Sequence, residues 1–376
     1  MKIKILHIQE TISSGGVERT RLSLARLLDK DRFQQKIICT NASGNLVDKI
    51  RNEGADVIPI GILKHPFQWS QHKKVQKIIE AYKPDIVHGA VFEGVTMAAI
   101  NGWLKRVPYI IIEETSDPKN RSWKGHMLMR FFSKTANKVI GVSESVTEEY
   151  LKGKLRLSAS KVITINNGVA LPREVSANET QEAQIKFGFT LNDFVIGSTG
   201  RMLQDSHKRF SDLIKAFARF AENKSNVKLL LVGDGPERIR YEKLTHELDI
   251  SDKVVFVGYQ SDTTLFYQMM HVFALVSARE AFGLVLAEAM LNKLPVLATR
   301  VGGMKYIVDD QETGFLVEPK DVSAIAEKLE ILYQDAELKK QMGETGYNKA
   351  LQEYTEDKYA EKISDLYLSF FKPKSI

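Results

Sequence analysis

Ser277-Ala278-Arg279-Glu280-Ala281-Phe282-Gly283-Leu284-Val285-Leu286-Ala287-Glu288-Ala289-Met290 is the stretch whose reading decides the fold. It follows the apolar run 272–276, which has the composition of a buried parallel strand, and it continues into an Ala/Leu/Met-rich segment with helical apolar spacing. Glu280 therefore falls on a strand-to-helix loop. Gly283 falls near the helix start, where unpaired backbone N–H groups and the positive end of the helix dipole favour an anion. Glu288 lies one to two turns into that helix. One carboxylate at the mouth, another behind it and an anion seat between them is the arrangement the spacing predicts.

The same strand-to-helix alternation extends in both directions. Apolar runs at 2–8, 35–39, 56–60, 85–88, 109–113, 137–142 and 161–165 are separated by helical patterns, and a second series follows at 194–200, 227–232, 253–257, 272–276, 294–298 and 314–317. Alternation of this kind specifies α/β architecture with parallel sheets wrapped by helices. The chain of 376 residues is too long for one ordinary core. Two Rossmann-like, doubly wound domains are expected, residues 1–175 and 186–354, facing one another across a cleft at the carboxyl ends of their strands. The polar stretch 172–184 reads as the linker between them. The tail from about 355 to 376 is amphipathic through Tyr359, Ile363, Leu366, Tyr367 and Phe370, and is expected as a helix returning to the first domain.

Composition removes several classes. No run approaches the roughly 18 apolar residues a membrane span needs, and the opening Met1-Lys2-Ile3-Lys4-Ile5-Leu6 lacks a signal-peptide cleavage pattern, so a cytoplasmic protein is expected. The single cysteine, Cys39, leaves neither an intramolecular disulfide nor a cysteine cluster for zinc. The net charge is +6, but residues 1–170 hold 27 Lys+Arg against 16 Asp+Glu, so the basic character belongs to the first half. Such a face suits phosphorylated substrate, anionic lipid or nucleic acid; the absence of an aromatic stacking platform or a known module disfavours the last.

Candidate chemistry lies on the strand-end loops. Gly15-Gly16 follows the first strand and opens a helix, which would let a backbone approach a ligand. A plain turn is the competing reading. Arg201 ends the first strand of the second series and Lys208 lies a short loop further on; together they can neutralise two phosphates, Arg by a bidentate fork and Lys as a point charge. Solvated surface cations are the bland alternative, against which stands Glu280 on the same edge. Glu113-Glu114 ends another strand and either binds acceptor hydroxyls, acts as a base, or caps a helix. Asp29-Lys30-Asp31 has the form of a metal-binding Asp-x-Asp but sits at a helix end, and no metal site is expected.

These motifs are similar, in order and spacing, to those of glycosyltransferase family 4. The resemblance is carried by the run ending Gly200-Arg201, by Leu229-Leu230-Leu231-Val232-Gly233-Asp234-Gly235-Pro236, by Val255-Phe256-Val257-Gly258-Tyr259, by the Glu280 to Glu288 stretch, by Pro295-Val296-Leu297-Ala298-Thr299 with Gly302-Gly303, and by Thr313-Gly314-Phe315-Leu316-Val317. The family implies the GT-B architecture and retaining transfer of a sugar from a nucleotide donor. It implies that Arg201 and Lys208 hold the donor diphosphate, that Glu280 contacts the sugar hydroxyls, and that Phe282, Gly283 and Leu284 offer backbone N–H groups. Glu288 would bind the ribose, Gly258 and Tyr259 would meet the base, Gly15 and Gly16 would approach the diphosphate, and His88 would stand near the reacting sugar. Departures from the family pattern occur at Ala281, Lys293 and Tyr306. Where many members carry a second histidine, this chain has Ala90, and if that second position is the active one, His88 is a strand-end histidine.

The resemblance implies a hexose or N-acetylhexosamine donor, UDP-linked before GDP-linked, and no metal or other cofactor beyond the nucleotide-sugar co-substrate. The expected acceptor is a saccharide linked to a polyprenyl diphosphate, in cell-surface polysaccharide synthesis. A sugar-nucleotide epimerase and a non-catalytic nucleotide-sugar binding protein are the rival readings. The segment 119–134 mixes cations with large apolar groups; as a helix it would bury Met127 and Phe131 on its own sheet, or else meet anionic lipid as a peripheral membrane contact, with Val107-Pro108 and residues 63–69 extending the face.

Overall fold

The structure, a computed structural model, describes residues 2–13, 15–118, 121–204 and 207–372; Ser14, Lys119 and Asn120 of the stretches above lie outside the described residues. The chain divides into two compact units, one made of Met1–Gly168 with Thr355–Ile376, the other of Val169–Tyr354.

In the first unit seven strands form one parallel sheet: β1 (Ile3–Ile12), β2 (Phe33–Ala42), β3 (Asp56–Pro59), β4 (Ile86–Ala90), β5 (Tyr109–Glu114), β6 (Lys138–Gly141) and β7 (Val162–Thr164). Their spatial order is β3-β2-β1-β4-β5-β6-β7. Both faces are covered, which is why the strands are apolar runs and not alternating ones. Alternation appears instead in which layer each side chain joins. Ile5 packs with Leu24, Ile86, Ile111 and Ile140 on one face, while Leu6 and Ile8 pack with Val75, Ile79, Val87 and Met97 on the other. The strand order reverses between β1 and β4, which opens a crevice at their carboxyl ends.

The second unit repeats the plan with β8 (Phe194–Thr199), β9 (Val227–Val232), β10 (Val254–Gly258), β11 (Val272–Leu275), β12 (Val296–Thr299) and β13 (Gly314–Val317), in the order β10-β9-β8-β11-β12-β13 and all parallel. Helix Phe210–Phe220 places Phe210, Leu213, Ile214, Phe217 and Phe220 on one stripe, and all five are buried against β8, β9 and helix Val322–Gln334. Burial of each such side chain is worth roughly 1.5–3 kcal/mol. Here the order reverses between β8 and β11, so the loops after those two strands flank the crevice.

Three expectations are corrected. The stretch 172–184 is not a bare linker: it belongs to the second unit, where Ser176 caps helix Ala177–Lys186, Ala183 is buried, and Arg173 pairs with both Glu179 and Asp262. Its apolar content was too sparse to show a helical stripe. In helix Trp123–Thr135 the buried residues are Met129, Phe132 and Ser133, whereas Met127 and Phe131 are exposed. The helix is apolar on two sides, and the side holding Met129 and Phe132 is the one that lies against its neighbours. Val107 is buried too, so it adds nothing to an exposed face. The tail forms helix Glu356–Ser369, with Thr355 as its N-cap, and inserts Tyr359, Ile363, Leu366 and Tyr367 into the first unit's core.

Candidate active site

In the second unit the loops after β8 and β11 converge on an ion pair. Lys208 Nζ lies 2.7 Å from Glu280 Oε2, both side chains about a fifth exposed. The two loops are tied by backbone as well, since Ala278 N–H donates to the His207 carbonyl at 2.6 Å. Gly200 begins the first loop beside the Lys208 stem, where a Cβ would lie 3.4 Å from Lys208 Cε. Arg201 follows it and is exposed, its side chain meeting no acid among the described residues. So two cations and a carboxylate share one strand-end edge. An ion pair this accessible is worth about 0–1 kcal/mol. Lys208 can thus leave Glu280 for a phosphate at little cost.

The Glu280 loop is held from beneath by Gly302-Gly303. Gly302 adopts φ +48°, and a Cβ there would stand 1.8 Å from the Glu280 carbonyl oxygen; Gly303 N–H donates to that same oxygen at 3.0 Å. Only glycine permits this approach. Phe282 turns its side chain into the core, edge-on to Tyr354 at 5.6 Å. Its backbone N–H and those of Gly283 and Leu284 have no acceptor among the described residues. Gly283, in the left-handed region at φ +113°, opens helix Leu284–Leu291. These amides are the free donors that a helix start supplies to an anion.

Glu288 is connected to the same crevice by a residue the sequence did not single out. Tyr267 Oη donates to Glu288 Oε2 at 2.8 Å and lies 3.1 Å from Thr199 Oγ1 at the end of β8. On the far side, Gly258 ends β10 in the left-handed region at φ +81°, and Tyr259 beyond it is exposed. Arg238 crosses this corner: it pairs with Glu242 at 2.7 Å and Asp234 at 3.5 Å and approaches the backbone of Gly258.

The first unit departs further from expectation. The Gly15 N–H does not stand open to a ligand, because it donates to the Glu18 carboxylate, which also accepts from Thr11 and Ser13 at the start of helix Gly16–Leu27. Gly16 is the first residue of that helix. His88 is fully buried: its Nδ1 lies 2.7 Å from Tyr367 Oη of the C-terminal helix, and its Nε2 faces Glu113 Oε2 at 3.3 Å. Glu113 in turn receives Arg21 Nη2 at 2.5 Å, and Arg21 Nε donates to Gln9 Oε1 at 3.0 Å. Burial would raise the Glu113 carboxyl, but the Arg21 guanidinium beside it and the His88 ring hold it at about 2. Burial pushes His88 down, and burial with the Arg21 charge pushes His7 down, so both rings are neutral near pH 7. His88 is therefore placed as a strut of the first unit's interior, without a surface on which to meet a sugar. Glu113 and Glu114 are spoken for as well, the latter buried and gripped by Arg121. Glu10 and Glu93, at this unit's carboxyl edge, do reach solvent, and burial together with the Glu93 and Glu18 charges raises the Glu10 carboxyl. Among the described residues no cluster of three His, Cys, Asp or Glu side chains is disposed to hold a metal.

Comparison with known proteins agrees with this plan. Residues 14–173 match the family model described as Glycosyltransferase Family 4, and residues 179–349 that of Glycosyl transferases group 1. The chain belongs to glycosyltransferase family 4. It is similar to the capsular polysaccharide biosynthesis glycosyltransferase CapM of Staphylococcus aureus, 28% identical with 98% of each chain covered. It is also similar to the UDP-Gal:alpha-D-GlcNAc-diphosphoundecaprenol alpha-1,3-galactosyltransferase of Escherichia coli, 25% identical over 98% of this chain and 97% of that one. The crystal structure of Anabaena HepE in complex with UDP-glucose superposes with a TM-score of 0.85 at 21% identity, over 98% of this chain and 100% of the other, a likeness of fold. As a family 4 glycosyltransferase the protein is an enzyme of GT-B fold, with relatives in polysaccharide biosynthesis. Its second unit gathers Lys208, Glu280 and the amides after Gly283 at the switch point, with Arg201 on the adjoining loop. Tyr267 and Thr199 went unrecognised because nothing in their spacing marks them; a buried tyrosine on a five-residue helix has no signature outside the fold.

Proposed function

We propose that this glycosyltransferase moves a hexose or N-acetylhexosamine from a UDP-sugar to a lipid-linked saccharide, with retention of configuration, in the building of a cell-surface polysaccharide. The observation that carries the reading is the pairing of Lys208 with Glu280 at the mouth of the β8/β11 crevice, next to Arg201 and the unpaired amides of Phe282, Gly283 and Leu284. As the donor's glycosidic bond to phosphate breaks, negative charge grows on the departing diphosphate. Lys208 exchanges Glu280 for a phosphate oxygen, Arg201 takes a second, and the amides receive a third. Each of these interactions strengthens as charge develops, so each favours the transition state over the bound donor. Glu280, released, accepts hydrogen bonds from sugar hydroxyls, and Glu288, oriented by Tyr267, accepts from the ribose. These cations and dipoles take the place of a metal ion.

Among the described residues no carboxylate of the second unit is poised as a nucleophile in the manner of a retaining glycosidase. Attack by the acceptor hydroxyl on the face the diphosphate leaves, its proton passing to the departing phosphate oxygen, accounts for retention without a covalent intermediate. Support for the lipid-linked acceptor comes from the relatives, of which one is named for a diphosphoundecaprenol substrate and another for capsular polysaccharide synthesis. The test is transfer from UDP-, GDP- and ADP-sugars to a polyprenyl-diphosphate saccharide in the presence of EDTA, with the product's anomeric configuration read by NMR. UDP-sugar turnover unaffected by EDTA, giving a product of the donor's configuration, is the expected result. An absolute metal requirement or an inverted product overturns the mechanism, and epimerised donor without transfer overturns the activity.

A further inference from the structure

The first unit carries a surface that neither its core nor the donor site uses. Helices Trp69–Tyr82, Val91–Leu104 and Trp123–Thr135 pack side by side on one face of its sheet. Each helix in such a fold leaves from the carboxyl end of the preceding strand. Trp69 and Trp123, each the first residue of its helix, therefore lie at the carboxyl rim of the sheet, two helix widths apart, roughly 20 Å. They are 52% and 65% exposed. Met127 and Phe131, 61% and 55% exposed, continue the line from Trp123 at four-residue intervals, a stripe of about 12 Å.

Single exposed apolar side chains are ordinary; a row of them set among charges of one sign is not. Lys124, Arg130 and Lys134 flank the stripe, all exposed, and helix Trp123–Thr135 contains no Asp or Glu. The stretch 62–79, which holds Trp69, likewise has Lys64, Lys73, Lys74 and Lys77 and no acid. Glu93, in the first turn of the middle helix, and Asp117, ahead of Trp123, are acids at the same rim, but the two helices that carry the exposed rings present only cations beside them. Aromatic rings flanked in this way by Lys and Arg match the boundary of an anionic bilayer, where rings sit at headgroup level and Lys and Arg meet phosphates. Among the described residues no helix is long and apolar enough to cross a membrane, so the contact is peripheral.

We propose that this face docks on an anionic lipid surface, with Trp123, Met127 and Phe131 entering the headgroup layer and Lys124, Arg130 and Lys134 pairing with lipid phosphates. The rim that touches lipid is the edge at which a doubly wound unit receives its ligand, which brings a lipid-linked acceptor to the protein without extraction from the bilayer. The docking does not depend on the donor reading, since UDP binding and vesicle binding are separate readouts.

Co-sedimentation of the full chain with equimolar phosphatidylglycerol/phosphatidylcholine vesicles, and with phosphatidylcholine alone, tests it. Binding to the anionic vesicles, weakened by molar salt and absent on neutral ones, is expected. The triple change Trp123→Ser, Met127→Ser, Phe131→Ser lowers that binding by about tenfold or more. Lys124→Gln, Arg130→Gln, Lys134→Gln together lower it by roughly fivefold per cation. Both variants keep the wild-type circular dichroism and UDP affinity, because these side chains lie outside the core and the donor site. Equal sedimentation of wild type and variants, or equal binding to neutral vesicles, overturns the proposal. So does a wild-type dimer in analytical ultracentrifugation that the triple serine variant dissolves, which makes the face a self-association surface.

Discussion

Gly302→Ala isolates the positioning of Glu280 from its chemistry. The new Cβ falls 1.8 Å from the Glu280 carbonyl oxygen, where backbone faces backbone and no side chain can swing aside. Non-bonded contact wants roughly 3.5 Å, so one of the two loops must give by about 1.5 Å. The φ of +48° adds about 1–2 kcal/mol for any residue with a Cβ, and the overlap adds roughly 1–3 kcal/mol. A total of about 2–5 kcal/mol lowers the second unit's melting temperature by roughly 4–20 °C. Displacement of a positioning group by about 1 Å costs on the order of a hundredfold in rate. Initial-rate kinetics below the melting range should show kcat/KM down by about that factor, with helix and strand content unchanged. Gly346→Ala is the matched control: its Cβ meets only ordinary contacts at 3.5 Å or more within helix Ala336–Glu353, so it stabilises by about 0.5–1 kcal/mol and leaves the rate alone. If Gly302→Ala retained wild-type kcat/KM, the Glu280 loop would not be what aligns the donor.

Tyr267→Phe removes the hydroxyl that links Glu288 to Thr199. It should cost about 1 kcal/mol of stability and raise the donor KM more than it lowers kcat, as initial rates at varied donor concentration will show. The buried cluster of the first unit sets an acid limit. Glu113, held at about 2 against an ordinary 4.5, contributes stability on the order of 3 kcal/mol that is present above pH 4.5 and lost as pH falls toward 2. His7 and His88, held below their ordinary 6.5, are kept neutral in the fold, so stability also falls as pH drops through 6.5 and the unfolded chain takes up protons the folded one refuses. Urea midpoints measured from pH 7.5 down to pH 4 should decline throughout; a flat profile would deny these groups their buried, paired state.

All thirteen strands were legible as apolar runs, because a sheet covered on both faces needs little beyond β-branched and aliphatic residues. Their ends were less so. β1 continues to Ile12 past the polar Gln9-Glu10-Thr11, since Gln9 is buried where Arg21 can donate to it, and that partner is visible only in three dimensions. The meeting of residues at the β8/β11 edge was readable because they lie on loops whose strand neighbours the topology dictates: Lys208 and Glu280, seventy-two positions apart, meet because β8 and β11 adjoin. The interior of the first unit was not readable. Arg21, His88, Glu113 and Tyr367 come from four separate elements, and no spacing reveals that a strand-end histidine and glutamate face inward under the C-terminal helix. In helix Trp123–Thr135 two apolar stripes compete, and periodicity alone does not choose between Met127/Phe131 and Met129/Phe132. In the stretch 172–184, a capped helix with one buried alanine left too faint a pattern to separate from a linker.

Isothermal titration of UDP and of uridine into the wild-type chain and into Lys208→Met tests the central claim most directly, since the two ligands differ only in the diphosphate that the β8/β11 edge is held to receive. The account predicts that UDP binds at least about tenfold more tightly than uridine, and that Lys208→Met closes most of this gap while leaving uridine unaffected, as loss of one charge-assisted hydrogen bond of roughly 1.5–3 kcal/mol requires. Equal affinities for UDP and uridine, or a gap that survives the loss of Lys208 intact, would contradict it.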